Sequence, residues 1–190
     1  MIAVNRAASW WPVPGITQFT TYGVDTSGKF TFINLAPGRY QLTATSQETP
    51  SGAESEFWAM TAIDIGADDV TDVKLNLQRG STLSGRIVAD PGRPGATTAG
   101  TVVLEPLDPG RIAFLTMGRL DAEKQFTIAG IIPGRYALRF TFLPPGISIR
   151  SIRIAGRDVT DLPIDFGPSE NVQDAEVRMT DVGTTIAGTL

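Results

Sequence analysis

The residue types most often used for catalysis are missing: this 190-residue chain has no histidine and no cysteine. Ser-His-Asp and Cys-His nucleophilic arrangements are thereby excluded, as are ordinary zinc sites. Carboxylates remain. Asp64, Asp68, Asp69 and Asp72 stand close together, as do Asp158, Asp161 and Asp165. Such groups can serve as a glycosidase acid/base pair or as calcium ligands. Neither run has EF-hand spacing with its Gly and closing Glu. Solvated, turn-forming aspartates between strands account for both. The pattern calls for no enzyme activity, no cofactor, no metal and no catalytic residue.

Aromatic side chains are the other chemistry on offer. Trp10-Trp11 and Phe57-Trp58 stand in the first part of the chain. Trp10, Trp11 and Trp58 are the candidate ligand-binding residues, as a stacking platform for sugar rings or a contact for another protein. Adjacent residues on a strand point to opposite faces, so the plainer reading makes one Trp of the pair core and the other a lid. Arg39 and Arg135 could grip an anion, but an arginine that opens a strand is commonly just exposed.

The elements that must position these residues are announced by a repeat. Asp25-x-x-Gly28-x-Phe30 is followed by Leu35-x-Pro37-Gly38-Arg39-Tyr40-x-Leu42. The pattern returns as Asp121, Phe126 and Ile131-x-Pro133-Gly134-Arg135-Tyr136-x-Leu138, each pair 96 residues apart (121 − 25). Eight of the eighteen positions in 25–42 and 121–138 are identical, without a gap. That spacing is too long for a solenoid repeat and suits a small β-sandwich domain.

Local patterning is strand throughout. Phe30 and Phe32 alternate with Thr31 and Ile33, and Tyr40, Leu42 and Ala44 with Gln41 and Thr43. Val73, Leu75 and Leu77 alternate in the same way, as do Ala175, Val177 and Met179. Period-two alternation buries one face and wets the other, as in antiparallel sheets. Within the motif, Asp25 to Gly28 reads as a hairpin turn with Gly28 at positive φ. Lys124 replaces that glycine in the second copy, at a cost of about 1 kcal/mol in the left-handed region, which opens that hairpin to another turn type. Pro37-Gly38 and Pro133-Gly134 suit type II turns. Tyr40 and Tyr136 should point inward, each hydroxyl bonding a turn backbone.

These residues resemble the carboxypeptidase regulatory-like domains, transthyretin-like sandwiches grouped with collagen-adhesin B-type repeats of large bacterial surface or periplasmic proteins. The first copy carries their signature in full and the second lacks only the Gly. The resemblance implies an all-β chain of tandem immunoglobulin-like or transthyretin-like β-sandwiches, acting as spacers, stalks or appendages. Peptidase chemistry of proteins that carry such domains needs His ligands, so it cannot reside here. Self-made Lys–Asn crosslinks, known in some such repeats, find little support: lysine is limited to Lys29, Lys74 and Lys124, and no Glu follows the Pro-Gly-Arg-Tyr segment in its strand.

Module boundaries follow from the copies. Residues 1–80 read as a first sandwich lacking its first strand, and 81–181 as a second. Residues 182–190 read as the first strand of a third, since Thr185-Ile186-Ala187-Gly188 answers Thr82-Leu83-Ser84-Gly85. A net charge of −4 with no run of Lys or Arg gives no footprint for nucleic acid. No apolar stretch approaches the roughly 20 residues of a transmembrane helix, and the start lacks a signal-peptide pattern. The expectation is a non-enzymatic structural or interaction module within a longer extracytoplasmic protein: periplasmic, secreted or on the cell surface. Its partners would be neighbouring sandwich modules of the same chain. The alternative is a carbohydrate- or peptide-binding sandwich that meets a polysaccharide or surface protein through the first-copy aromatics.

Overall fold

A strand whose residues alternate can bury one face and hydrate the other, and the computed structural model of the chain is all-β. It describes residues 2–6, 19–22, 25, 27–45, 57–90, 100–107, 116–183 and 186–189. Among the described residues there is no helix, hence none long and apolar enough to cross a membrane.

The strands divide between two compact units. The first holds β1 (Ile2–Arg6), β2 (Phe19–Tyr22), β3 (Gly38–Thr45), β4 (Phe57–Ile65) and β5 (Gln78–Arg79). They form one antiparallel sheet in the order β2-β1-β3-β4-β5. β3 supplies most of its core: Tyr40, Leu42 and Ala44 are buried, with Ala59 of β4 beside them. Phe30, Phe32, Val73 and Leu75 pack onto this cluster, the two Phe rings edge to face at 5.9 Å.

Here the structure departs from the sequence reading. Residues 30–33 and 73–77 alternate like strands yet lie outside every ladder. The side chains of Phe30, Phe32, Val73 and Leu75 rest on the cluster, while Ile33 and Leu77 are exposed. Alternation specifies which face is buried, not which strand is the neighbour, so packing alone satisfies it. The described part of this unit is accordingly a single sheet.

The second unit holds β6 (Ser81–Ala89), β7 (Thr101–Pro106), β8 (Thr116–Leu120), β9 (Gln125–Ile131) and β10 (Gly134–Thr141). It continues with β11 (Ser148–Ile154), β12 (Arg157–Asp158), β13 (Ile164–Phe166) and β14 (Asn171–Thr180). The order is β12-β11-β14-β6-β9-β8-β7-β10-β13. β8 is the corner: residues 116–118 pair with β7 and residues 119–120 with β9. The sheet so turned folds over into two layers that share one core, with β12 and β13 as its edges. Leu83, Phe126, Ile128, Ile152 and Val177 line it from one layer, and Val102, Leu104, Leu138 and Phe166 from the other. Such buried side chains contribute roughly 1.5–3 kcal/mol apiece, which is ample for a sandwich without disulfides.

One pairing breaks the antiparallel expectation. β6 and β14 run parallel, pairing from Asn171↔Thr82 to Met179↔Ala89 with one register shift between Val172 and Ala175. Both are inner strands, flanked by β9 and β11, and inner parallel strands need cover on their buried face, which the core provides. Residues 186–189, expected to open a further strand, form none, and Ile186 is 97% exposed.

Candidate functional site

The repeated motif is built alike in both units. The Asp25 amide donates to Lys29 O at 3.0 Å, and the Gly28 amide to Asp25 O at 3.0 Å. The Asp121 amide donates to Gln125 O at 2.9 Å, and the Lys124 amide to Asp121 O at 3.1 Å. Asp25 Oδ1 accepts from the Ser27 and Lys29 amides at 2.8 Å, and Asp121 Oδ1 from the Gln125 amide at 2.7 Å. This is a turn closed by one residue in the left-handed region, the usual three-residue hairpin loop. Gly28 holds that place at φ 82° and Lys124 at φ 63°. Lys124 therefore keeps the turn, and no other turn type is used. The Lys29 amide, the Ser27 hydroxyl and further turn amides hold the Asp25 carboxyl below its ordinary value.

The Pro-Gly step corrects a second expectation. Gly38 and Gly134 have φ of 153° and 157°, about twice the roughly +80° of a type II turn's third position. Each begins its strand in a conformation that side-chain-bearing residues avoid. Four residues after Ala36, Tyr40 donates to its carbonyl at 2.7 Å, and Tyr136 donates to Ile132 O at 2.7 Å. The rings are 2% and 4% exposed, and Tyr136 meets Phe166 edge to face at 5.8 Å.

The arginine of the motif has a cross-strand acidic partner in both copies. Arg39 faces Asp64 in register and approaches it at 3.1 Å, and Arg135 faces Asp165 at 3.7 Å. Exposed pairs of this kind contribute about 0–1 kcal/mol each. They take up one member of each acidic run. Asp158 belongs to a turn, accepting from the Thr160 hydroxyl at 2.6 Å and its amide at 3.0 Å, which together depress its pKa. Among the described residues no three acidic side chains converge where a metal could bind. Lys29, Lys74 and Lys124 are exposed.

Trp10 and Trp11 lie outside the described residues. Trp58 is buried in β4 at 7% exposure, and its Nε1 has no hydrogen-bond partner among the described residues. A sugar ring cannot stack on it as it stands, which corrects its reading as an open platform. Its neighbour Phe57 is partly exposed, with the Arg79 guanidinium 5.7 Å from its ring centroid.

What the sequence reading missed lies at the two ends of the β6–β14 pair. At one end Ser81, fully buried, donates to Gly167 O at 2.8 Å and accepts from the Glu170 amide at 2.8 Å. Beside it the Thr82 amide donates to Glu170 O and its hydroxyl to Asn171 Oδ1, both at 2.8 Å. At the other end the Asp90 amide donates to Met179 O at 3.1 Å, and Arg150 donates to Asp90 Oδ2 at 2.8 Å. The Thr180 hydroxyl and then Arg150 hold the Asp90 carboxyl below its ordinary value, outweighing burial. Midway, Arg86 bridges to Glu176 at 3.1 Å, and Arg178 with Arg86 depresses the Glu176 pKa. Gly85 completes the seam: a Cβ there would overlap the Ala175 carbonyl oxygen and lie 2.6 Å from Ala175 Cβ. These partners are 60 to 90 residues apart, beyond any local motif.

No family model matches the chain, and no curated protein does. Among solved structures it is similar to GBS52, the minor pilin of Streptococcus agalactiae, at 16% identity and a TM-score of 0.34. That match covers 100% of this chain and 85% of the pilin. It is also similar to the major pilin T-13 of Streptococcus pyogenes, at 10% identity and a TM-score of 0.27, covering 95% and 88% of the two chains. Likeness at this level carries neither topology nor function.

Proposed function

We propose that the chain is a non-enzymatic spacer within a longer extracytoplasmic protein, working in series with neighbouring β-sandwich modules. One observation carries this reading: the first and last long strands of the second unit are parallel. The chain therefore enters beside Asn171 and leaves beside Ala89, separated by the length of β14. Ten residues at roughly 3.3 Å each give about 30 Å. A domain threaded end to end lengthens its parent chain, whereas one whose termini are adjacent merely hangs from it. In this reading the first unit is a second copy of the module. Its residues 29–37 and 71–77 then stand as the counterparts of β9 and β14. The shared turn, tyrosine and arginine geometry supports that equivalence.

The test is substitution of the whole unit. Replacing 81–181 in the parent protein by an unrelated sandwich of equal end-to-end span should preserve the parent's activity. Replacement by a domain of similar mass with adjacent termini should impair it. Equal loss with both replacements would mean that the surface of this unit, and not its span, is what matters.

A further inference from the structure

We propose that the second unit is a load-bearing element whose β6–β14 seam is a shear clamp; its biological use rests on the spacer reading, but the mechanical property does not. Tension along the chain pulls β6 from its N-terminal end at Ser81 and β14 from its C-terminal end at Thr180. Because these strands are parallel and hydrogen-bonded to each other, the two pulls oppose each other along the strand axis. Every ladder bond between Asn171↔Thr82 and Met179↔Ala89 then shares the load at once. If β14 ran antiparallel to β6, both pulls would act at one end and the bonds would open singly.

The side chains at the seam suit this use. Ser81 ties the loaded start of β6 to the Gly167 carbonyl and the Glu170 amide, both at 2.8 Å. Asp90 ties the far end of the seam to β11 through Arg150 at 2.8 Å. Thr82 to Asn171 and Arg86 to Glu176 cross the seam between them. Gly85 lets the strands close where β14 bulges between Val172 and Ala175, a bulge with Asp174 at φ 59°. A bulge held in register by a close backbone contact resists sliding, which is the motion that shear would drive. Both strands are internal to the sheet, so neither can peel from an edge without first breaking a second ladder.

The chain has no cysteine, so paired cysteines can be placed at will for single-molecule pulling on the full chain. One variant carries Gln78→Cys and Gly183→Cys, exposed positions just outside the two ends of the seam. A second carries Glu123→Cys and Gly183→Cys, both beyond the same end of the sheet, since Lys124 O accepts from the Ile87 amide. The second geometry pulls across the strands and unzips them. With matched loading rates and equal thermal midpoints, the first variant should rupture at a force several-fold above the second. Thr82→Ala with Arg86→Met, added to the first, should lower its rupture force. Equal forces in the two geometries, or a weaker first variant, would overturn the clamp. Forced unfolding reports the unfolding barrier and not equilibrium stability, so that outcome would leave the spacer reading standing on the domain-replacement experiment.

Discussion

Lys124 and Gly28 answer the same backbone demand with different residues. Both sit in the left-handed region, and only the glycine does so without steric cost. Lys124→Gly should raise stability by several tenths to about 1 kcal/mol, the strain relieved less the added freedom of the unfolded chain. A urea midpoint that falls would mean the lysine side chain stabilises the turn. Tyr136→Phe should cost about 0.5–1.5 kcal/mol, because the Ile132 carbonyl loses its donor. Phe126→Ala, which empties a fully enclosed site, should cost about 3–5 kcal/mol. At this scale much was legible. The Asp and Tyr positions announced a turn and a buried ring. The glycine φ was not, since proline before glycine is compatible with several backbone paths. Nor was the burial of Trp58, because aromatic type alone does not say which face of β4 is covered.

Strands were legible as strands wherever they also found neighbours. Tyr40-Leu42-Ala44 and Ala175-Val177-Met179 lie in β3 and β14, but residues 73–77 show the same alternation with no ladder. Period two is common to parallel and antiparallel pairs, so the parallel seam left no trace in the pattern. Gly85 is its one local mark, and a strand glycine admits several explanations. Gly85→Ala should destabilise the second unit by about 1–3 kcal/mol, because the opposing atom is a backbone oxygen that cannot rotate away. An unchanged melting temperature would show that β14 can shift to admit a methyl group. The seam also predicts an acid response. Asp90 and Glu176 have depressed pKa values when folded, owing to Thr180 with Arg150 and to Arg178 with Arg86. A carboxylate with a lowered folded pKa contributes stability above its unfolded value, near 3.9 for Asp and 4.3 for Glu. That contribution is lost as pH falls through the folded value. Urea midpoints should stay level from neutral pH to about 5 and fall below about 4. In Asp90→Asn the fall should be shallower. A midpoint that rises on acidification would contradict the assigned partners.

At the scale of the molecule, the 96-residue offset pointed to modules; the described strands lie in two compact units, one on either side of Gly80-Ser81. The offset could not convey that one copy builds two layers while the described part of the other builds a single sheet. Near-identical turns and tyrosines coexist with different ladders, because short motifs determine local geometry whereas ladders depend on strands far away in the chain. The functional claim rests on this long-range arrangement, specifically on where the chain enters and leaves the second unit. Spin labels at Thr82→Cys and Gly183→Cys, both in the second unit of an otherwise cysteine-free chain, measure that separation by pulsed dipolar spectroscopy. A narrow distribution at or above about 30 Å, the length of a ten-residue strand, is the predicted result. A distribution centred below about 20 Å, which adjacent termini would produce, would contradict it.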